Sequence, residues 1–194
     1  MDFSNDIKEY LQLEKEVLDK IDVNSINEAL NLLLETQKKH KRVYIFGNGG
    51  SSATASHMQN DFNKGISEYV EDKFRFSCLN DNVPTVMAIA NDIGFEEIFR
   101  FQLRNVIEDG DIVIAISGSG NSKNVINAVE YAKSRGNKII GMTGYDGGKL
   151  KELSDIVLLA PVNSMQVTED IHMIFDHLMM SVLYKHLCNK NHLS

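Results

Sequence analysis

Three stretches of this 194-residue chain bring together side chains that can hold a small anion and move protons. Residues 43–64 read VYIFGNGGSSATASHMQNDFNK, a short apolar run that breaks at Gly47-Asn48-Gly49-Gly50. The glycines permit positive φ and let backbone amides approach a ligand, and Ser51 or Ser52 is placed to cap the helix that follows. A strand, a glycine turn and a helix N-terminus together make an anion site. The helix carries His57 and Asp61, four residues apart and so on one face, and both can take a metal or a proton. Residues 117–122, SGSGNS, join three hydroxyls, Ser117, Ser119 and Ser122, to a run of amides that includes Gly118. That composition suits a dianionic phosphate without any Arg or Lys, the plain alternative being a flexible turn with a capping serine.

The third stretch, residues 168–177, reads TEDIHMIFDH and supplies Glu169, Asp170, His172, Asp176 and His177. Asp170 and Asp176 read as solvated, His172 as a hydrogen-bonded core residue, and one of the two histidines as structural. Glu169 and His177 are separated by about 80° around a helix and about 12 Å along it, so they share an ion only if it sits midway. Glu169 with His172 is the easier local pair, and spacing alone leaves the ligand set open. A dinucleotide reading of GNGGS fits poorly. The third glycine position holds Ser52, and the second strand ends in Leu79-Asn80-Asp81 without a clear terminal acid.

The elements that must position these residues are legible from periodicity. Residues 3–20 and 25–40 carry apolar residues at helical spacing, the second behind a Ser25 cap, and predict two leading helices. Strands are predicted at 43–46, 74–79, 112–116, 138–142 and 156–159. Between them fall a short helix started by Pro84, a turn at Asn91-Asp92-Ile93-Gly94, and helices over 96–106, 123–134 and 147–153. A last helix runs from about 164 to 186. Strands alternating with helices predict an α/β three-layer α-β-α sandwich with a five-stranded parallel sheet, in which ligands bind beyond the carboxyl ends of the strands.

Composition bounds the rest. An apolar content of 43% over 194 residues supports one core, expected as a single domain over 1–194, with the helical pair at 1–40 placed for an oligomer interface. The net charge of −7 with Lys and Arg read as scattered excludes a nucleic-acid footprint, and no apolar run approaches the ~18 to 20 residues that span a bilayer. Cys78 and Cys188 stand in no metal spacing and no leader pattern opens the chain, so a reducing cytoplasm is the expected location.

GNGGS followed by His57 and Asp61, then NDIGF, ISGSGNS, TGYDGG and a last helix with IH-x4-H, resembles the sugar isomerase (SIS) domain family, and within it the branch that acts on heptose phosphates. The resemblance covers nearly the whole chain. It implies interconversion of sedoheptulose 7-phosphate and D-glycero-D-manno-heptose 7-phosphate, a flavodoxin-like fold, a homotetramer with active sites at subunit interfaces, and a divalent metal, usually zinc. Carried over, the metal falls to His57, Asp61, Glu169 and His177. Phosphate and sugar contacts fall to Asn48, Gly49, Gly50, Ser51, Asn91, Asp92, Ser117, Gly118, Ser119 and Ser122, with Asp61 and Glu169 at the sugar. Asp61 stands where the family usually has Glu, and Glu169 where it usually has Gln; the arginine that usually follows the first catalytic helix is absent, with Lys64-Gly65 nearby.

Moving a carbonyl between C1 and C2 requires a base for the carbon-bound proton, an acid for the oxygen and a means of stabilising the enediolate. Asp61 and His177 are the carried-over acid–base pair, with Glu169 a rival for one of the two roles. Two other readings use the same motifs: an isomerase of another ketose phosphate, and a non-catalytic SIS module that binds a partner protein or senses a sugar phosphate. The set His57, Asp61 and His177 favours an enzyme, since a pure binder has no need of acid–base groups beside phosphate loops.

Overall fold

The computed structural model describes residues 1–188; the end of the expected 1–194 unit, residues 189–194, lies outside them. Five parallel strands, β1 (Val43–Gly47), β2 (Phe76–Cys78), β3 (Ile112–Ser117), β4 (Lys138–Gly144) and β5 (Ile156–Ala160), form one sheet in the order β2-β1-β3-β4-β5. The chain reverses its direction of winding between β1 and β3, the switch point where a flavodoxin-like sheet opens a crevice. The loops after those two strands are GNGG and SGSGNS. Topology therefore places both glycine-containing loops at one crevice.

Strand side chains alternate between two cores. Val43 and Ile45 of β1 face one side with Ile112, Ile114 and Ile116 of β3, and Tyr44 and Phe46 face the other with Val113 and Ala115. The first core is covered by α2 (Val23–Lys38), α3 (Gly50–Asn60) and α8 (Met165–Cys188). The second is covered by α4 (Val83–Asp92), α5 (Arg100–Val106), α6 (Lys123–Ser134) and α7 (Gly148–Leu153). Burying each large aliphatic or aromatic side chain contributes on the order of 1.5–3 kcal/mol, which is why both faces of the sheet are covered. Because α3 and α8 cover the same face and touch, the first and last chemical stretches become neighbours.

Several local expectations shift. The cap of α2 is Asp22, whose carboxylate accepts from the Asn24 amide and the Ser25 hydroxyl. Ser51 and Ser52 lie inside α3 and its N-cap is Gly49, at φ 55° and ψ −123°, a conformation open only to glycine, so the backbone itself makes the turn that a serine was expected to cap. The helix expected over 96–106 is a 3₁₀ turn, Phe95–Glu97, followed by α5. Asn91 and Asp92 end α4 rather than forming a turn, and β2 is three residues long. Lys39, Lys41 and Arg42, read as scattered charge, gather with His40 and Arg75 around a cleft of about 480 Å³ at the amino ends of the strands.

After Asn60 the helix widens into a π-helix, Asp61–Ile66, the kind of local unwinding that often marks a functional site. Its placement is fixed by the edge of the sheet. Asn63 accepts from the Phe76 amide and donates to the Phe76 carbonyl, both at 2.8 Å, and Gln59 accepts from the Cys78 amide at 2.5 Å. These side chains satisfy the open edge of β2 and thereby hold Asp61 at the helix boundary.

The leading helix α1 (Ser4–Leu18) buries Val17 against the body and leaves Phe3, Ile7 and Leu11 more than half exposed. No helix among the described residues is long and apolar enough to cross a membrane.

Candidate active site

Asn48 and Gly49 from the turn after β1, Gly50 and Ser51 from the start of α3, Ser117 at the end of β3, Gly118, Ser119 and Ser122 just beyond it, and Met165 and Glu169 from α8 line one cleft of about 290 Å³. Each part is held from behind. The Ser117 hydroxyl donates to that of Ser122 at 3.1 Å, and Asn48 and Asn124 exchange side-chain hydrogen bonds at 2.9 Å. The end of β4 and the start of α7, joined through TGYDGG, clamp the serine loop. Gly118 accepts from the Gly144 amide at 2.8 Å, and Asn121 accepts from the Lys149 amide at 3.1 Å. Hydroxyls and helix-start amides without a cation suit a phosphate group held by local geometry. Asn91 and Asp92 are not among the lining residues; they sit exposed at the end of α4 and hydrogen-bond to each other at 2.7 Å.

Further along α3, His57 and Asp61 meet His177 of α8. The two Nε2 atoms are 3.1 Å apart, and the Asp61 carboxylate lies 3.5 Å from His57 Nε2 and 4.0 Å from His177 Nε2. A metal bound at ~2.0–2.2 Å by tetrahedral N and O donors has donors about 3.3–3.6 Å apart. The three separations bracket that spacing, one inside it and the others 0.2 Å short and 0.4 Å long, and two imidazoles with a carboxylate suit a divalent metal in kind.

Glu169 is placed differently from the carried-over ligand set. Its carboxylate lines the phosphate-type cleft and lies so close to Gly50 that any side chain at that position would overlap it. The fourth acidic or imidazole group within 4.8 Å of the others is Asp176.

Asp176 corrects the expectation of a solvated residue. It is 0% exposed, and neither carboxylate oxygen has a hydrogen-bond partner among the described residues. Burial, and secondarily the nearby Asp61 carboxylate, push it up to about 7. Thr168 and His172 share the inward stripe of α8 at four-residue spacing, fully buried and equally without side-chain partners among the described residues. His172 is thus a core histidine, as expected; burial holds it down at about 4, opposed in part by the Thr143 backbone beside it. The sequence does contain a signal for Asp176: residues 168, 172 and 176 run beside the apolar stripe Ile171, Phe175 and Met179, so a helix buried on that side buries them too.

Known proteins share this arrangement over nearly the whole chain. The SIS domain family matches residues 7–144. A phosphoheptose isomerase from Helicobacter pylori strain Shi470 is 37% identical over 191 residues, covering 95% of this chain and 97% of the relative. The structure of a phosphoheptose isomerase from Neisseria gonorrhoeae superposes with a TM-score of 0.84 at 30% identity, over 93% of this chain and 95% of that one. One from Francisella tularensis gives 0.87 at 25% identity, over 95% and 100%. The chain therefore belongs to the SIS domain family and is similar throughout its length to phosphoheptose isomerases.

Proposed function

We propose that this chain is an aldose–ketose isomerase that interconverts sedoheptulose 7-phosphate and D-glycero-D-manno-heptose 7-phosphate through an enediolate. The observation that carries the reading is the pairing, on one helix, of an anion cradle at the start of α3 with the His57, Asp61 and His177 cluster at its end. Ser51 and His57 are about 9 Å apart along α3. An extended chain advances about 1.2 Å per bond, so about seven or eight bonds cover that length. In a heptose 7-phosphate, eight bonds separate C1 from phosphorus, so the length suits a long sugar phosphate better than a short one. The similarity to phosphoheptose isomerases from three organisms supports the same substrate.

In this reading Ser117, Ser119, Ser122 and the amides around Gly49, Gly50 and Gly118 hold the phosphate. Holding that end fixes the reacting carbons beside the proton-transfer groups, which turns proton transfer into an intramolecular event. One of Asp61 and His177 takes the proton from the carbon next to the carbonyl and the other serves the oxygens; returning the proton to the neighbouring carbon completes the exchange of aldose for ketose. His57, Asp61 and His177 would hold a zinc ion, which when bound polarises the carbonyl and stabilises the enediolate charge. The exposed apolar face of α1 supports self-association as a homotetramer, and the absence of a membrane-spanning helix among the described residues is compatible with a cytoplasmic enzyme.

The test is incubation of the purified full chain with sedoheptulose 7-phosphate in deuterated water, followed by NMR. Formation of the aldose with deuterium at C1 or C2 is expected. Binding without conversion or exchange would replace the enzyme reading with a sugar-phosphate-binding module.

A further inference from the structure

His57, Asp61 and His177 leave one position of a four-coordinate metal site to be filled, and two carboxylates compete for it. Glu169 lies one residue beyond the inward-facing Thr168 and turns its carboxylate to Gly50 and the phosphate-type cleft. Asp176 is fully buried, has no hydrogen-bond partner for either oxygen among the described residues, and brings an oxygen within 4.8 Å of the donor atoms of all three other residues. Burial of an unpaired carboxylate is unfavourable unless a cation or donors meet it, and the nearby donors are metal-ligand atoms rather than N–H groups of the backbone.

Helix geometry explains how neighbours in sequence can serve one centre. Residues 176 and 177 project about 100° apart on α8. His177, which is exposed, closes the cluster from the solvent side, and Asp176 closes it from the core side. Charge points the same way. Two carboxylates and two neutral imidazoles balance a divalent ion, whereas Glu169 as a further ligand would add an excess negative charge in a partly buried site.

We propose that Asp176 is the fourth metal ligand of this protein, and that Glu169 instead faces the substrate and accepts hydrogen bonds from its sugar hydroxyls. The assignment rests on the metal-assisted reading above, but not on the identity of the sugar. It gives the short Asp61 side chain a second carboxylate across the site.

Zinc and cobalt(II) binding to the chelator-treated full chain tests this, read by competition titration and by the visible spectrum of the cobalt form. Asp176→Asn should lower zinc affinity at least ~10-fold and change the cobalt spectrum, while Glu169→Ala, which removes every donor at that position, keeps affinity within about threefold and raises the KM for the sugar phosphate. Circular dichroism checks folding, and Asp176→Glu, which retains a carboxylate, should bind metal more tightly than Asp176→Asn. Unchanged affinity and spectrum in Asp176→Asn would overturn the assignment, as would loss of metal in Glu169→Ala. A wild-type chain that turns over but binds neither metal overturns it and leaves the isomerase reading standing. Metal binding through Asp176 without turnover does the reverse.

Discussion

Asp111 and Asp176 are both buried, at 2% and 0% exposure, yet their carboxylates meet opposite surroundings. Asp111, just before β3, accepts from the Arg42 and Glu108 amides at 2.9 Å each and joins the start of β1 to the turn before β3. Asp176 accepts nothing from the described residues and faces two histidines and another aspartate. The first carboxylate completes backbone hydrogen bonding and is part of the scaffold. The second is left without the partners that a purely structural role would supply, and that deficit distinguishes a functional group from a structural one.

Removing functional groups and removing scaffold groups should therefore fail in different assays. The largest effect is expected at the proton-transfer pair. Asp61→Ala or His177→Ala should lower kcat/KM at least ~10²-fold with little change in thermal unfolding; near-normal turnover in both would remove them from the chemistry. Asp111→Ala should do the converse, destabilising the fold by about 2–4 kcal/mol in urea through two orphaned amides, with activity retained in the folded fraction. Asp176→Leu should raise the stability of the metal-free chain by about 1 kcal/mol, since an unpaired buried carboxylate gives way to an apolar side chain of similar size. A loss comparable to that of Asp111→Ala would erase the contrast.

His172 offers a smaller test through pH. Burial lowers it to about 4 from 6.5, so between those values the unfolded chain binds a proton that the native chain does not. Its contribution is complete above pH 6.5, falls as pH drops towards 4, and levels off below. Between pH 7 and pH 5 this group alone should cost about 2 kcal/mol of stability. His172→Leu should flatten the decline by that amount in paired urea titrations; parallel curves for the two proteins would mean that the histidine is accessible to protons in the folded state.

The sheet and the anion loops were legible because their signals are local. The apolar runs at 43–46 and 112–116 followed at once by GNGG and SGSGNS specify strand, turn and helix start within about ten residues. Capping was less legible. Asp22 and Ser25 are both good cap residues within one turn, and Gly49 acts through its backbone rather than through a side-chain signal. The widening of α3 at Asp61 could not be read at all, because it depends on Asn63 and Gln59 meeting the edge of β2.

By itself the sequence determined a parallel α/β sheet and placed its glycine- and serine-rich loops at the switch point, because periodicity and composition act over a few residues; His57, Asp61 and His177 entered as one donor set only through the resemblance to the SIS family. Only the tertiary structure decided which side chains stand beside one another at the end of α3. His57 and His177 are 120 residues apart, and the packing of α3 and α8 on one face of the sheet brings them together. That same packing turns Glu169 to the cleft and buries Asp176, since the rotation of a helix about its axis is set by the surface it covers rather than by the residues that precede and follow it.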